Sequence, residues 1–168
     1  MTKPVWLPEA LSYGDFNGEW EEFLAVAYSI FERDFKRSKP QYDGRQVVHD
    51  ARIENGKEAG FWHIVQRDDS SAGKRIPDLR RCERVAWPKP IVEHSTDRAI
   101  SLWQNERGGQ TRILIWIEDM DYIVVLADRL KVMVLVTAFC TDIESYRRKL
   151  RKERDDYRRK QKPPRGAT

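Results

Sequence analysis

Apolar residues recur every three or four positions in the first quarter of the chain. This spacing predicts an amphipathic helix over residues 17–36, because side chains three and four positions apart share one helix face. Asn17 is a suitable residue to cap its first turn, and Pro40 lies beyond its expected end. The apolar face consists of Trp20, Phe23, Leu24, Ala27, Tyr28, Phe31 and Phe35.

The middle of the chain contains runs of β-branched and aromatic residues. Three of them, at residues 112–117, 122–126 and 132–139, are joined by short polar connections, which predicts an antiparallel meander. A shorter run at residues 61–65 is bounded by Gly60 and a polar loop, and we predict a strand there. Strand alternation would place His63 on the same side as Phe61 and Val65.

Two further helices are expected. The first runs from residue 95 or 96 to residue 106, carries Ile100 and Trp103, and ends at Gly108-Gly109. The second begins near residues 141–144, a Thr-Asp-Ile-Glu sequence that matches a capping box, and extends to about residue 160. Helices at both ends of a sheet-forming segment predict an α+β fold.

The chain of 168 residues has the length of one domain. We predict a single domain over residues 1–160, with its helical N-terminal part at about 1–45 and a flexible tail at 161–168. No window approaches the roughly 20 uninterrupted apolar residues of a membrane span, and the first residues lack the apolar run of a signal peptide. The lack of a span predicts no membrane partner. Only two cysteines are present, Cys82 and Cys140, which favours a cytoplasmic protein.

Charge is distributed unevenly along the chain. Residues 147–165 contain eleven Lys or Arg and three Asp or Glu, a net charge of +8, so the rest of the chain carries −4 within a total of +4. A basic element on a mildly acidic body indicates a polyanionic partner. A solvated helix face is the alternative, and acidic residues of the body could neutralise part of the basic segment.

Known metal and cofactor motifs are absent from the sequence. Two Cys and three His lack any zinc-site spacing, and there is no phosphate loop, dinucleotide fingerprint or nucleophile elbow. We therefore predict no metal and no cofactor. The acidic residues Glu118, Asp119 and Asp121 fall in a strand connection, which we interpret as a solvated hairpin tip.

Several residues outside those motifs suit phosphate chemistry. Arg80, Arg81 and Arg84 cluster beside Trp87, and arginine binds phosphate oxygens in pairs while an aromatic ring can stack a base. His63 and Thr137 could complete a set for cleaving RNA without a metal, through proton transfer and phosphate orientation. Taken singly, His63 fits a core histidine better than a catalytic one, and Thr137 fits an ordinary strand residue.

The order of several short motifs resembles a known group. The motifs are Phe-Trp-His-Ile at 61–64, the arginine-rich stretch at 77–87, Ile-Trp-Ile-Glu at 115–118, residues 121–126, and Leu-Val-Thr-Ala-Phe at 135–139. Over about residues 45–155 they resemble phage- and prophage-associated ribonucleases of the barnase–EndoU–colicin–RelE superfamily.

This resemblance implies a helical N-terminal part packed on a curved antiparallel sheet of four to five strands, with the active site across the sheet. It implies a metal-independent endoribonuclease in which His63 is the acid/base residue, Arg81 or Arg84 binds phosphate, and Thr137 supplies a hydroxyl. Family members often have Thr-Ala-Tyr where this chain ends in Phe139, which removes a phenol. Many relatives are toxins held by a neutralising protein.

The function predicted from the sequence is therefore an endoribonuclease, a toxin or a phage-encoded enzyme, that cleaves RNA by attack of the 2′-OH. The residues expected to bind RNA, largely on a basic C-terminal helix, are Arg80, Trp87, Trp116, Arg147, Arg148, Arg151, Lys152 and Arg158.

The alternative is a non-catalytic module that binds RNA or a protein, with His63 buried. A third possibility is that the terminal helix docks a neutralising antitoxin or immunity-like protein through Ile143, Tyr146 and Leu150.

Overall fold

A computed structural model describes residues 2–69, 71 and 73–161. The α+β class is confirmed. The predicted tail lies outside the described residues from position 162 onward, and residue 161 ends the last helix. The helices within the described residues are α1 (Trp20–Phe31), α2 (Ala59–Val65), α3 (Leu79–Glu83), α4 (Pro88–Glu93) and α5 (Glu144–Gln161). The strands are β1 (Gln41–Tyr42), β2 (Arg45–Val48), β3 (Ile53–Glu54), β4 (Lys57–Glu58), β5 (Gln66–Asp69), β6 (Lys74–Pro77), β7 (Ser101–Arg107), β8 (Gln110–Ile117), β9 (Tyr122–Asp128) and β10 (Met133–Cys140).

Six strands form the main sheet, in the order β1-β2-β10-β9-β8-β7. The predicted meander is confirmed as β8, β9 and β10, which pair antiparallel. The expected number of strands and their purely antiparallel arrangement are wrong. The sheet is mixed, because β2 runs parallel to the start of β10 at Met133 and Val134. Two separate hairpins, β3–β4 and β5–β6, lie outside this sheet.

The open edge of β10 positions the candidate site. Strand β2 pairs with only the first two residues of β10, and a bulge follows between Leu135 and Thr137. Helices α2 and α3 pack against β10. Their residues His63 and Arg81 contact Thr137 and Phe139, beyond the end of this pairing. The second half of β10 is therefore bordered by helices instead of a strand.

The two faces of the sheet bury different sets of side chains. One face packs against the helices from the first two thirds of the chain, through residues such as Ile113, Ile115 and Leu135. The other face carries Trp103 and Trp116, and α5 lies over it with Leu150 buried. This alternation follows from the two-residue repeat of strand side chains. The long terminal helix thus covers part of an otherwise open sheet face, and none of the described helices is long and apolar enough to cross a membrane.

The first helix matches its predicted extent but not its predicted cap. It continues from α1 through a π-helical turn at Glu32–Arg37. Asn17 has a left-handed backbone with φ 52° and ends a preceding 3-10 turn, and Glu19 is the residue before the helix. Asn tolerates this conformation better than most residues, which explains its place in the turn.

Two of the secondary-structure predictions are wrong. Residues 61–65, expected as a strand, belong to α2, whose side chains are buried on almost every side except at His63. Such a short buried helix lacks a polar face, so its sequence looks like a buried strand. The helix expected at 95–106 is mostly strand β7, and Gly108-Gly109 forms a hairpin turn with φ values of 60° and 76°.

Candidate nucleic-acid interface

The last carbonyls of α2 are held by side chains from distant parts of the chain. The Thr137 hydroxyl donates a hydrogen bond to the His63 carbonyl oxygen over 3.0 Å. Just after the helix, the Gln66 carbonyl accepts from the Arg81 guanidinium and from Arg75 Nη2, the latter over 3.2 Å. These contacts bring three of the predicted catalytic residues, His63, Arg81 and Thr137, to the open edge of β10. We call His63, Gln66, Arg75, Arg81 and Thr137 the β10-edge cluster.

His63 is partly buried within this cluster. Removal of water from around the imidazole lowers the pKa of His63 below its ordinary value, and the positive charge of Arg75 lowers it further. Asp50 and Glu54 oppose this shift, and Arg52 adds to it. An imidazole with a lowered pKa is neutral at pH 7, so it has one nitrogen that can accept a proton.

Two guanidinium groups converge on one carbonyl oxygen in the β10-edge cluster. Arg81 is largely buried, and burial is the main cause that lowers its pKa. Asp78 partly balances its charge, with Oδ2 3.8 Å from Arg81 Nε. Arg75 is more exposed and pairs with Asp68, whose Oδ1 lies 3.5 Å from Arg75 Nε. Two guanidiniums on one carbonyl nevertheless form a positive region that attracts an anion. Arg75 was not among the residues predicted from the sequence. It lies near Gln66 only because strands β5 and β6 pair in a hairpin.

The contacts of Thr137 change its expected role. A hydroxyl has a single proton, and that of Thr137 is donated to the His63 carbonyl. In this arrangement its oxygen can accept a hydrogen bond but cannot donate one to a phosphate. Thr137 therefore positions the end of α2, and with it His63.

Arg80 and Arg84 lie on the outer side of α3. Arg80 forms an ion pair with Asp142, with 2.8 Å between Nη1 and Oδ2. Arg84 donates to the Arg80 carbonyl over 3.1 Å, and its guanidinium carbon lies 5.2 Å from the Trp87 ring centre. The expected proximity of Arg80, Arg84 and Trp87 is therefore seen. Among the described residues, no hydrogen bond or ion pair joins Arg84 to His63.

The expectation that Trp87 and Trp116 bind RNA does not fit their burial. Their exposed fractions are 3% and 0%, so neither ring has a free face. Each indole N–H also has an internal acceptor, which is the Pro8 carbonyl for Trp87 and the Thr141 hydroxyl for Trp116, both at 2.9 Å. Both residues belong to the core.

Glu118 holds α5 against the sheet instead of forming a solvated hairpin tip. Its carboxylate accepts hydrogen bonds from Arg151 over 2.5 Å and from Arg154 over 3.0 Å. Burial alone would raise the pKa of Glu118, but these hydrogen bonds outweigh it and lower the pKa. Arg147 pairs with Asp121 in the same region. Body carboxylates thus neutralise part of the basic segment.

The predicted RNA-binding residues on α5 consequently fall into two groups. Arg147 and Arg151 are engaged by the ion pairs at Glu118 and Asp121. Arg148 and Lys152 have side chains that are 76% and 79% exposed, although each lies near a carboxylate of its own helix. Arg158 is also exposed and has no ion pair within the described part of the chain. The second group can contact a partner without releasing α5.

The apolar stripe expected to dock a protein is mostly used within the fold. Tyr146 and Leu150 pack on the sheet beside Trp103 and Trp116. Of the three stripe residues, only Ile143 stays largely exposed, with 67% of its surface open to solvent. The stripe on α5 therefore attaches this helix to its own sheet.

A cleft of about 450 Å³ opens between α5 and the sheet. We call it the sheet–helix cleft. The strands contribute to its lining Asn105, Glu106, Arg107, Arg112, Leu114, Val125, Thr137 and Phe139. Helix α5 contributes Tyr146, Lys149, Leu150, Lys152, Glu153 and Asp156. Thr137 belongs both to this lining and to the β10-edge cluster, and the Arg81 guanidinium carbon lies 5.4 Å from the ring centre of Phe139. The two regions are therefore contiguous.

No group of three or more His, Cys, Asp or Glu side chains within the described ranges is arranged to hold a metal ion. Comparison with protein-family models, with curated proteins and with solved structures finds no match to this chain. The resemblance to the ribonuclease superfamily therefore stays a prediction, and function is argued from the geometry of the β10-edge cluster and the sheet–helix cleft.

Proposed function

We propose that the protein is a metal-independent endoribonuclease with its reacting centre at the β10-edge cluster. The observation that carries this proposal is the convergence of Arg75 and Arg81 on the Gln66 carbonyl. Burial first, and then the charge of Arg75, lowers the pKa of His63. His63 lies three residues before Gln66 in the helix that this residue caps, so a proton acceptor and a site for an anion are close together. RNA cleavage through its own 2′-OH needs both.

The proposed reaction is an intramolecular transesterification that breaks one phosphodiester bond of the RNA. His63 accepts the proton of the 2′-OH as this oxygen attacks phosphorus, and the bond from phosphorus to the 5′ oxygen breaks. The imidazolium that results gives its proton to the departing 5′ oxygen. The products are a 2′,3′-cyclic phosphate and a free 5′-OH. Arg75 and Arg81 stabilise the negative charge that develops on the phosphorane oxygens.

Residues around the reacting centre have supporting roles in this proposal. Thr137 holds the last turn of α2 and thereby orients His63. Arg148, Lys152 and Arg158 on the exposed side of α5 attract the RNA backbone. A toxin or phage-encoded role, a neutralising protein partner and a cytoplasmic location stay predictions from the sequence.

A non-catalytic RNA-binding module is the second candidate. It is favoured by the fact that the Thr137 proton and an Arg81 N–H are already donated to carbonyls at the end of α2. Residues used in this way can serve the fold alone. The module would bind RNA in the same region and leave it intact.

The proposal is tested by removing one of the two guanidiniums. Arg75→Gln should lower the rate of RNA cleavage about 100-fold or more, since one donor to the developing charge is lost. Lys74→Gln is the matched control, because Lys74 precedes Arg75 on the same strand, is exposed like it, and its substitution removes the same charge. Cleavage is followed with a labelled mixed-sequence RNA.

Equal rates for Arg75→Gln and the unmodified protein would overturn the assigned phosphate site. RNA binding without cleavage by any variant would instead establish the second candidate.

A further inference from the structure

Two hydrogen-bonding atoms in the sheet–helix cleft lack a partner. They are Arg112 Nε and Asn105 Oδ1, each buried from solvent and without a hydrogen bond within the described part of the chain. Asn105 on β7 and Arg112 on β8 are paired directly across the strands. A donor and an acceptor without partners therefore lie side by side on the sheet. Because nearly all buried polar groups have a hydrogen-bond partner, this pair indicates a ligand that both accepts and donates.

The orientation of the Asn105 amide is fixed by its neighbour. Its Nδ2 donates to Glu153 Oε1 over 2.8 Å, and the other oxygen of Glu153 accepts from Trp103 Nε1 over 3.0 Å. A carboxylate only accepts, so the amide cannot turn its oxygen toward Glu153. The acceptor Oδ1 is thus left for another partner.

Aromatic and apolar surface lies beside this polar pair. The rings of Phe139 and Tyr146 both line the cleft, with their centres 5.8 Å apart and their planes tilted by 48°. Leu114 and Val125 form an apolar floor on the sheet. Such a surface suits a flat heterocycle, which gains from stacking against aromatic side chains.

The charge of the cleft suits one phosphate linkage. Four basic and three acidic side chains line it, which leaves one net positive charge. Arg107 and Lys149 are exposed and have no ion pair among the described residues, so they are free to meet a phosphate. The volume of about 450 Å³ falls in the range of small-molecule sites, roughly 300–1,000 Å³.

From these features we infer that the sheet–helix cleft binds one nucleotide of a single-stranded RNA. Its base lies against Phe139 and Tyr146, with hydrogen bonds from Arg112 and to Asn105. Its phosphate lies toward Arg107 and Lys149. This inference rests on the proposed function. Thr137 lines the cleft and donates to the His63 carbonyl, so a strand bound in the cleft continues to the reacting centre.

The test is the affinity of a short single-stranded RNA in which every 2′-OH is methylated, so that it cannot be cleaved. Fluorescence anisotropy measures the binding of a labelled oligonucleotide. Arg112→Gln should weaken binding about tenfold or more, because a charged hydrogen bond is lost. Lys149→Gln should also weaken it, and this exposed position keeps the test valid if Arg112→Gln does not fold. Arg37→Gln, on the helical side of the sheet, is the matched control and should bind within twofold of the unmodified protein.

The outcomes separate the inference from the proposed function. Binding that depends on Arg112 and Lys149, with no cleavage of ordinary RNA, supports the cleft and contradicts the endoribonuclease. Binding that is unaffected by Arg112→Gln and Lys149→Gln overturns the nucleotide site even if RNA is cleaved. An equal loss of RNA affinity with Arg37→Gln would also overturn it, since the RNA would then be held by non-specific electrostatic attraction.

Discussion

At the scale of single residues, His63 and Arg75 define the site most clearly. His63 was evident in the sequence as the one polar residue within an apolar run, although it lies on a helix and not on a strand. Arg75 carried no such signal, since it is one of many basic residues in a polar passage. Its position beside Gln66 depends on the register of a hairpin, which local sequence patterns do not report.

The lowered pKa of His63 predicts how the residue titrates. Its midpoint, measured by NMR from the imidazole carbon-bound proton, should lie below the ordinary value of about 6.5. The folded protein then binds fewer protons here than the unfolded chain does, so this residue lowers stability as the pH falls from about 6.5 through the folded pKa. Arg75→Gln should raise the midpoint, because a nearby positive charge is removed. A midpoint above 6.5 in the unmodified protein would contradict the assigned environment.

At the scale of elements, local patterns predicted some parts correctly and failed at others. Strands β8, β9 and β10 were predicted because long β-branched runs and short polar turns are strong local signals. The strand β7 was mistaken for a helix because Ile100 and Trp103 are three residues apart, a spacing that both structures allow over so short a stretch. The cleft could not be predicted, since it depends on where α5 docks and on the pairing of Asn105 with Arg112.

The docking of α5 depends on Glu118, which gives a test of this element. Glu118→Gln keeps the shape of the side chain but removes the charge that pairs with Arg151 and Arg154. We expect a loss of about 1–3 kcal/mol in the free energy of unfolding, measured with a chemical denaturant. Asp119→Asn is the matched control at an exposed neighbour and should have little effect.

The same contact should depend on pH. Because the pKa of Glu118 is lowered in the folded protein, its stabilisation is present above the ordinary glutamate pKa and is lost as the pH falls through the lowered value. An equal stability of Glu118→Gln and Asp119→Asn at neutral pH would show that α5 is held by its apolar contacts alone.

At the scale of the whole molecule, the sheet separates a helical layer from a face partly covered by one basic helix. The β10-edge cluster lies where the sheet is bordered by α2 and α3, and the cleft continues from it beneath α5. The basic segment read from the sequence is therefore partly structural and partly exposed. Under the proposed function, its exposed cations, the cleft and the edge cluster together form a path for one RNA strand.

The most direct test of this account is cleavage of a mixed RNA pool in excess EDTA, followed by identification of the product ends. The unmodified protein and His94→Ala, a histidine change away from β10, should both produce 2′,3′-cyclic phosphates and 5′-hydroxyls. His63→Ala should remain folded, bind RNA and lose cleavage. Cleavage by His63→Ala at the rate of the unmodified protein would contradict the assignment of the reacting centre.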